Sequence, residues 1–300
     1  MVEVINYNSF FYHPNGQFKG LEKLVLLPGG ETRPSGIPVG SVWQFDSQNH
    51  EYDQRILGND VGCGMTAFFM IPPVDLKVAA DKIASHLAGA KILGSGNHFI
   101  DLCGNFETED QQYPLHNMMI IHTDGKSKDN SVPKNIESAQ AKVVAASEFR
   151  KNLGNSLANV IGVKKIELFG DWPHNTVEYE NGKYVYRKGT IKVFPEKVHI
   201  LPSHLHSSIL FYTVAANDMP IMSSMPHATG RKGPTSELKV SEEKAREMRK
   251  LVYIPERIKD SSLRSEHPDC FNSLDSILDV FGEQIVPIGD TYIKSYVGKV

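Results

Sequence analysis

The sequence is short of several things, and each shortage closes off a class of protein. No apolar run approaches the roughly 18 to 20 residues a membrane-spanning helix needs, so none is expected. The first residues, Met-Val-Glu-Val, lack the basic and apolar blocks of a secretion signal, and a cytoplasmic location is the expectation. There are only three cysteines, Cys63, Cys103 and Cys270, and no two form a CxxC pair. Free thiols are therefore expected rather than a disulfide framework. An excess of one charge is also missing: 32 basic residues stand against 35 acidic ones, a net charge of -3. A nucleic-acid partner cannot be inferred from that balance and would need a local basic patch. No repeat, low-complexity tract or Pro/Gly/Ser linker divides the chain, which reads as one continuous domain over 1–300.

What remains is ordinary globular composition, so function must lie in sites. Twelve histidines are a mild excess, and most stand beside Asn, Gly, Ser or Pro rather than inside apolar helical stretches. β-Branched and apolar runs bounded by turn residues predict strands at Lys23 to Leu27, Thr66 to Ile71, Met118 to His122, Lys197 to Leu201 and Val286 to Lys294. Helical spacing fits Leu76 to Leu87, Pro133 to Leu153 and Ser241 to Leu251. The two kinds of element do not alternate regularly, which predicts an α+β fold over a doubly wound sheet. The sharpest local signal is Asn181-Gly182 inside an alternating run from Thr176 to Arg187. A type I′ turn wants positive φ at both central residues. A two-residue loop there pairs Glu180 with Lys183 and Asn175 with Lys188, bringing His174-Asn175 and Arg187-Lys188-Gly189 to one end of the hairpin.

Several segments carry groups suited to chemistry. Gly58-Asn-Asp-Val-Gly-Cys-Gly-Met65 sets a carboxylate, Asp60, three residues before a thiol, Cys63, among glycines that let the backbone turn tightly. Leu93-Gly-Ser-Gly-Asn-His-Phe-Ile-Asp101 offers His98 in a glycine loop, though Gly94-Ser-Gly96 has no Walker lysine and is a weak phosphate cradle. Met118 to His122 is an apolar strand ending in a histidine, and His174 stands at the mouth of the hairpin. Leu201-Pro-Ser-His-Leu205 and Ser223-Ser-Met-Pro-His-Ala-Thr-Gly-Arg-Lys-Gly-Pro234 add Ser203 and His227 in polar turns, the latter followed by two cations suited to phosphate oxygens. Taken singly, each segment reads equally well as a turn, a buried inert thiol or a structural histidine. As a set, one Asp, one Cys and three His at strand ends and glycine turns are what a one- or two-metal centre requires. Thiolate and imidazole alone point to zinc, and a shared carboxylate widens the choice to manganese.

In this order, Asp-Val-Gly-Cys-Gly-Met, Gly-Ser-Gly-Asn-His-Phe, an apolar strand ending His-Thr, His-Asn, Arg-Lys-Gly-Thr, Leu-Pro-Ser and Met-Pro-His-Ala-Thr-Gly-Arg resemble the RtcB family of RNA ligases. The resemblance runs from Gly36-Ile-Pro-Val-Gly40 to Tyr292-Ile-Lys294. It implies mixed and antiparallel sheets with flanking helices around a central metal and nucleotide cleft. It also implies GTP and two manganese ions as cofactors, with Cys63 bridging one ion held by Asp60 and His98 and another held by His122 and His174. His227 would take a guanylate from GTP, with Asn97, Asp101, Asn175, Ser203, Ala228, Gly230 and Lys294 around the nucleotide and Lys188 and Arg231 at RNA or phosphate.

The implied reaction joins an RNA 3′-phosphate or 2′,3′-cyclic phosphate to a 5′-hydroxyl, as in tRNA splicing or RNA repair, with an activating helper protein as a further partner. The chain departs from the family pattern at Asp101, where a longer glutamate is usual. Tyr186 replaces a common histidine, Thr123-Asp-Gly-Lys126 replaces Ser-Gly-Ser-Arg, and Leu27 to Arg33 lacks a histidine. The same residues also allow a metal-dependent phosphohydrolase, a relative that guanylylates a different nucleic-acid end, or a binding module without turnover.

Overall fold

The computed structural model describes residues 2–14, 16–31, 36–94, 97–108, 116–125, 131–234 and 237–298. Ser95 and Gly96 of the glycine loop, Lys126 after His122, and Thr32 and Arg33 lie outside the described residues.

The fold is mixed α+β. A seven-stranded antiparallel sheet runs in the order β11 (His199–Leu201), β12 (Ser208–Val214), β14 (Ile285–Val297), β5 (Phe99–Asn105), β6 (Asn117–Thr123), β4 (Gly64–Ile71), β7 (Lys165–Pro173). A five-stranded sheet runs β1 (Glu3–Asn6), β2 (Leu21–Glu31), β3 (Val39–Asp46), β9 (Lys183–Lys188), β8 (Asn175–Glu180), with β1 parallel to β2 and the other pairs antiparallel. A two-stranded ladder of β10 (Thr190–Lys192) with β13 (Ser224–Pro226) lies between His174 and His227 in the chain.

The strands predicted at Thr66, Met118 and Val286 are present and slightly longer, whereas the segment from Lys197 supplies only the short β11. The hairpin forms as its turn chemistry requires: Asn181 and Gly182 have φ of 48° and 82°, Glu180 pairs with Lys183, and Asn175 with Lys188.

After a short α1 (Gln54–Leu57), two longer helices back the large sheet. In α2 (Leu76–Leu87), the Asp75 side chain caps the N–H groups of Lys77 and Val78, and Ala79, Ala80, Ile83, Ala84 and Leu87 form a buried stripe at helical spacing. In α3 (Ile136–Ile161), Asn135 and Ser138 form a capping box, so the helix starts three residues after the predicted Pro133. It runs on to Ile161, where Gly162 takes φ 83° and its N–H reaches the carbonyls of Ala158 and Asn159. Helix α3 packs on β4, β6 and β7 of the large sheet and on β8 of the smaller one, so it spans both.

Two apolar clusters follow from this arrangement. The larger, which includes Met65, Phe68, Ile100, Ile120 and Phe211, fills the space around the seven-stranded sheet. The smaller, around Trp43, Phe45 and Tyr186, belongs to the five-stranded one. Among the described residues no helix is long and apolar enough to cross a membrane.

Candidate metal centre

Four neighbouring strands of the large sheet bring one end each to the same place. Cys63 immediately precedes β4 and His98 precedes β5, while His122 is the penultimate residue of β6 and His174 follows β7. Because β5, β6, β4 and β7 are antiparallel in that order, these alternating starts and finishes share one edge. The register shows it: Phe99 faces His122, and Gly64 faces both Thr123 and Pro173.

The four side chains converge. The Cys63 Sγ lies 3.6 Å from His98 Nε2, 3.4 Å from His122 Nε2 and 3.2 Å from His174 Nε2, and the last two nitrogens are 3.4 Å apart. Metal–sulfur and metal–nitrogen bonds of about 2.3 and 2.0 Å in a tetrahedron place donors about 3.3 to 3.6 Å from one another. The spacing is that of ligands sharing a first-row ion. Cys63, His98 and His122 can hold one, being buried with donor atoms within 4.8 Å of one another, and His174 extends the group on the Cys63–His122 side.

The backbone loop that carries Cys63 is fixed from three directions. Gly62 has φ 87° and packs so close to α3 that a Cβ would lie 2.9 Å from the Ala146 Cβ. The buried Arg150 donates from Nη1 to the Gly62 carbonyl at 2.8 Å. Asn175 donates from Nδ2 to the Asp60 carbonyl at 3.0 Å while its Oδ1 accepts from Gly189 N at 2.9 Å, so one amide ties the Cys63 loop to the far side of the hairpin. The Asp60 carboxylate accepts from Gly125 N at 3.1 Å.

Burial decides the protonation of this group. It pushes His122 and His174 well below the usual imidazole range, and neighbouring histidine charges push the same way. It pushes the Cys63 thiol up, with the Asp60 charge adding to it, and raises Asp60 against the pull of His98. The imidazoles are therefore neutral and offer lone pairs, and His174 Nδ1 has no hydrogen-bond partner among the described residues. A buried set of donors without an internal cation is suited to receive one. The residues present thus fit a metal.

His227 stands beside the cluster, its ring centre 4.3 Å from that of His174. Its Nδ1 lies 2.7 Å from the Gly189 carbonyl. A carbonyl only accepts, so Nδ1 carries the proton and Nε2 the lone pair of the neutral ring.

The other expected residues divide. Asn97 adjoins His98 and has a buried Oδ1 with no hydrogen-bond partner among the described residues. Ser203 is within 3.0 Å of Thr229 Oγ1, one residue before Gly230, so Ser203, Ala228 and Gly230 gather near the His227 loop. Asp101 is fully buried, its carboxyl pushed well up by burial and by Glu266. Lys294 is exposed on β14.

Lys188 and Arg231, expected at phosphate, direct donors into the protein. Lys188 Nζ donates to the Ile56 carbonyl at 2.7 Å. Arg231 pairs with Glu266 at 2.9 Å, donates to the Ser265 carbonyl and stacks 4.2 Å over Phe271. Arg150 is a residue that reading the sequence missed. Its signal was a charge set in the helical stripe of Ala146, Leu153 and Leu157, where only a partnered charge is stable.

Neither a protein-family model nor a curated protein sequence matches the chain.

Proposed function

We propose that this protein is a GTP- and manganese-dependent RNA ligase of the RtcB kind, joining a 3′-phosphate or 2′,3′-cyclic phosphate end to a 5′-hydroxyl. The observation that carries the reading is the one thiol within 3.2 to 3.6 Å of three imidazole nitrogens, with a further histidine ring, tilted by 34°, 4.3 Å from one of them. A structural site would need the donors but not His227.

When bound, divalent cations would neutralise phosphate oxygens and activate the groups that attack them, held by Cys63, His98, His122 and His174 with Asp60 alongside. The chain supplies the rest. Gly189 fixes the tautomer of His227, so that Nε2 attacks the α-phosphorus of GTP; a P–N bond forms and pyrophosphate leaves. An oxygen of the RNA 3′-phosphate, released from a cyclic phosphate by water, then displaces His227 from the guanylate. The 5′-hydroxyl attacks the 3′-phosphate phosphorus, and GMP departs as the strand is sealed. Asn97, next to His98, and Ser203, Ala228 and Gly230, at the His227 loop, would contact the nucleotide, and Asn175 holds the Cys63 loop against Gly189.

The test is to incubate the protein with manganese and GTP labelled at the α-phosphate and to look for label on the denatured chain. An acid-labile adduct in the parent, absent from His227→Ala and Cys63→Ala, is expected. A folded, metal-loaded protein that takes no label overturns the ligase reading. Metal-dependent phosphate release that needs no GTP would favour a hydrolase built on the same donors.

A further inference from the structure

Away from the metal centre, α2, residues 249–253 and β14 enclose a groove of about 530 Å³. Its formation is a matter of backbone pairing. Tyr253 N donates to the Lys294 carbonyl at 2.9 Å and Tyr296 N to the Tyr253 carbonyl at 2.9 Å, so the segment after α4 (Glu242–Glu247) adds a short parallel bridge to β14. Lys250 and Lys294 line the groove from the two bridged segments, and Lys77 joins them from the first turn of α2.

The charge in this groove runs against that of the chain. Among the described residues Lys77, Lys250 and Lys294 make no ion pair, although acidic residues outnumber basic ones overall. Two carboxylates lie at the groove and both are engaged: Asp75 Oδ1 accepts from the N–H groups of Lys77 and Val78, and Asp81 accepts from the Tyr253 hydroxyl at 2.7 Å. Arg249 is held by Asp260 and by carbonyls. Aromatic faces accompany the cations: Lys77 Nζ lies 5.8 Å from the Tyr253 ring centre, and Lys294 Nζ 5.8 Å from that of Tyr292, which is 47% exposed. Unpaired ammonium groups along a groove lined by Tyr253, with the exposed Tyr292 beside Lys294, suit a polymer that alternates phosphates and flat bases.

The groove is also in line with the metal centre. β14 pairs with β5 from Val297 opposite Ile100 to Ile293 opposite Cys103, and β5 begins beside His98. Four to five residues at about 3.3 Å each place Lys294 roughly 15 Å along the strand from the donors.

We propose that this groove binds the backbone of single-stranded RNA and thereby holds the strand whose end reaches the metal centre, an inference that rests on the ligase reading. The experiment measures binding of a fluorescent single-stranded RNA oligonucleotide by anisotropy, without GTP or metal, over a range of salt. In the parent, affinity falls steeply with salt. Lys77→Glu with Lys250→Glu is expected to weaken binding at least about tenfold and to lower the slope of log affinity against log salt by about 1.4, two contacts at about 0.7 each. Lys77→Arg with Lys250→Arg keeps the affinity. Guanylylation by labelled GTP stays at the parent level in the glutamate variant, as does its melting temperature. RNA binding by the glutamate variant within twofold of the parent, or no RNA binding by the parent, overturns the groove. Failure of the parent to take label sinks the ligase reading instead.

Discussion

The interior holds two kinds of polar assembly, and they differ in what they are missing. Around Arg187 and Arg150 the chain supplies both signs of charge. Arg187 is fully buried, donates to Glu178 at 2.8 Å and to Glu180 at 2.6 and 3.1 Å, and also reaches Ser224 and the Met222 carbonyl. Arg150 meets Asp171 at 3.0 Å and Thr66 at 3.0 Å, with Ser147 donating to the other oxygen of Asp171. At Cys63 the chain supplies donors alone: a thiol and three imidazoles, two of which, His122 and His174, burial keeps neutral. The charge pairs complete themselves, and they hold the strands and loops on which the incomplete set is displayed. Arg150 belongs to both, since the Gly62 carbonyl it holds is one residue from Cys63.

Removing a charge pair should therefore cost stability, and removing a donor should cost only what the metal adds. Arg150→Ala removes a fully buried guanidinium and leaves the partly buried Asp171 without its cation, and is expected to lower the unfolding free energy by about 3 kcal/mol in chemical denaturation. A loss under about 1 kcal/mol would mean that the large-sheet network is not what holds the Cys63 loop.

Cys63→Ala is expected to behave oppositely. In metal-free protein its melting temperature should lie near that of the parent. With metal at about one hundred times the dissociation constant, the parent should gain about 2.7 kcal/mol and the variant almost none. Equal stabilisation of both by zinc or manganese would place the ion elsewhere.

Acid sharpens the contrast further. Burial would raise Glu180, but the hydrogen bonds and charge of Arg187 outweigh it and pull the carboxyl down to about 2. Its stabilising contribution is thus complete above the unfolded range near 4.5 and is lost as pH falls toward about 2. Denaturation curves of Glu180→Gln should be flatter over that window than those of the parent. Identical acid profiles would sink the idea that this pair is charged when folded.

The smallest effect is expected farthest from either assembly. Gly182→Ala, at φ 82° in the hairpin turn, should cost about 1 kcal/mol and leave metal affinity untouched, as thermal melts and metal titration would show.

Much of this was legible before the structure. Turn chemistry at Asn181-Gly182 set the register of a hairpin whose mouth carries His174, and periodicity gave both ends of α2. The donors stood out because histidines at strand ends and glycine turns are poor core filler. Sheet order was not legible, because pairing across long gaps leaves little local trace in one sequence. Nothing near Cys63 says that β4 lies between β6 and β7. The destinations of charges were hidden for the same reason. Arg187 and Lys188 read as the end of a hairpin strand and Arg231 as part of a polar loop, and only the fold supplies the carboxylates and carbonyls that receive them. Nothing in the sequence near Asp171 says that α3 lays Arg150 against it.

The row of donors crosses four adjacent strands, one from each, and this makes the centre a gauge of assembly. A slip of one residue in any of those strands would move its donor about 3.3 Å and turn its side chains to the other face. Metal coordination tolerates only a few tenths of an ångström. A misthreaded copy of this chain would thus fail to take up its ion at all, so that loading certifies the alignment of the strands before any chemistry begins.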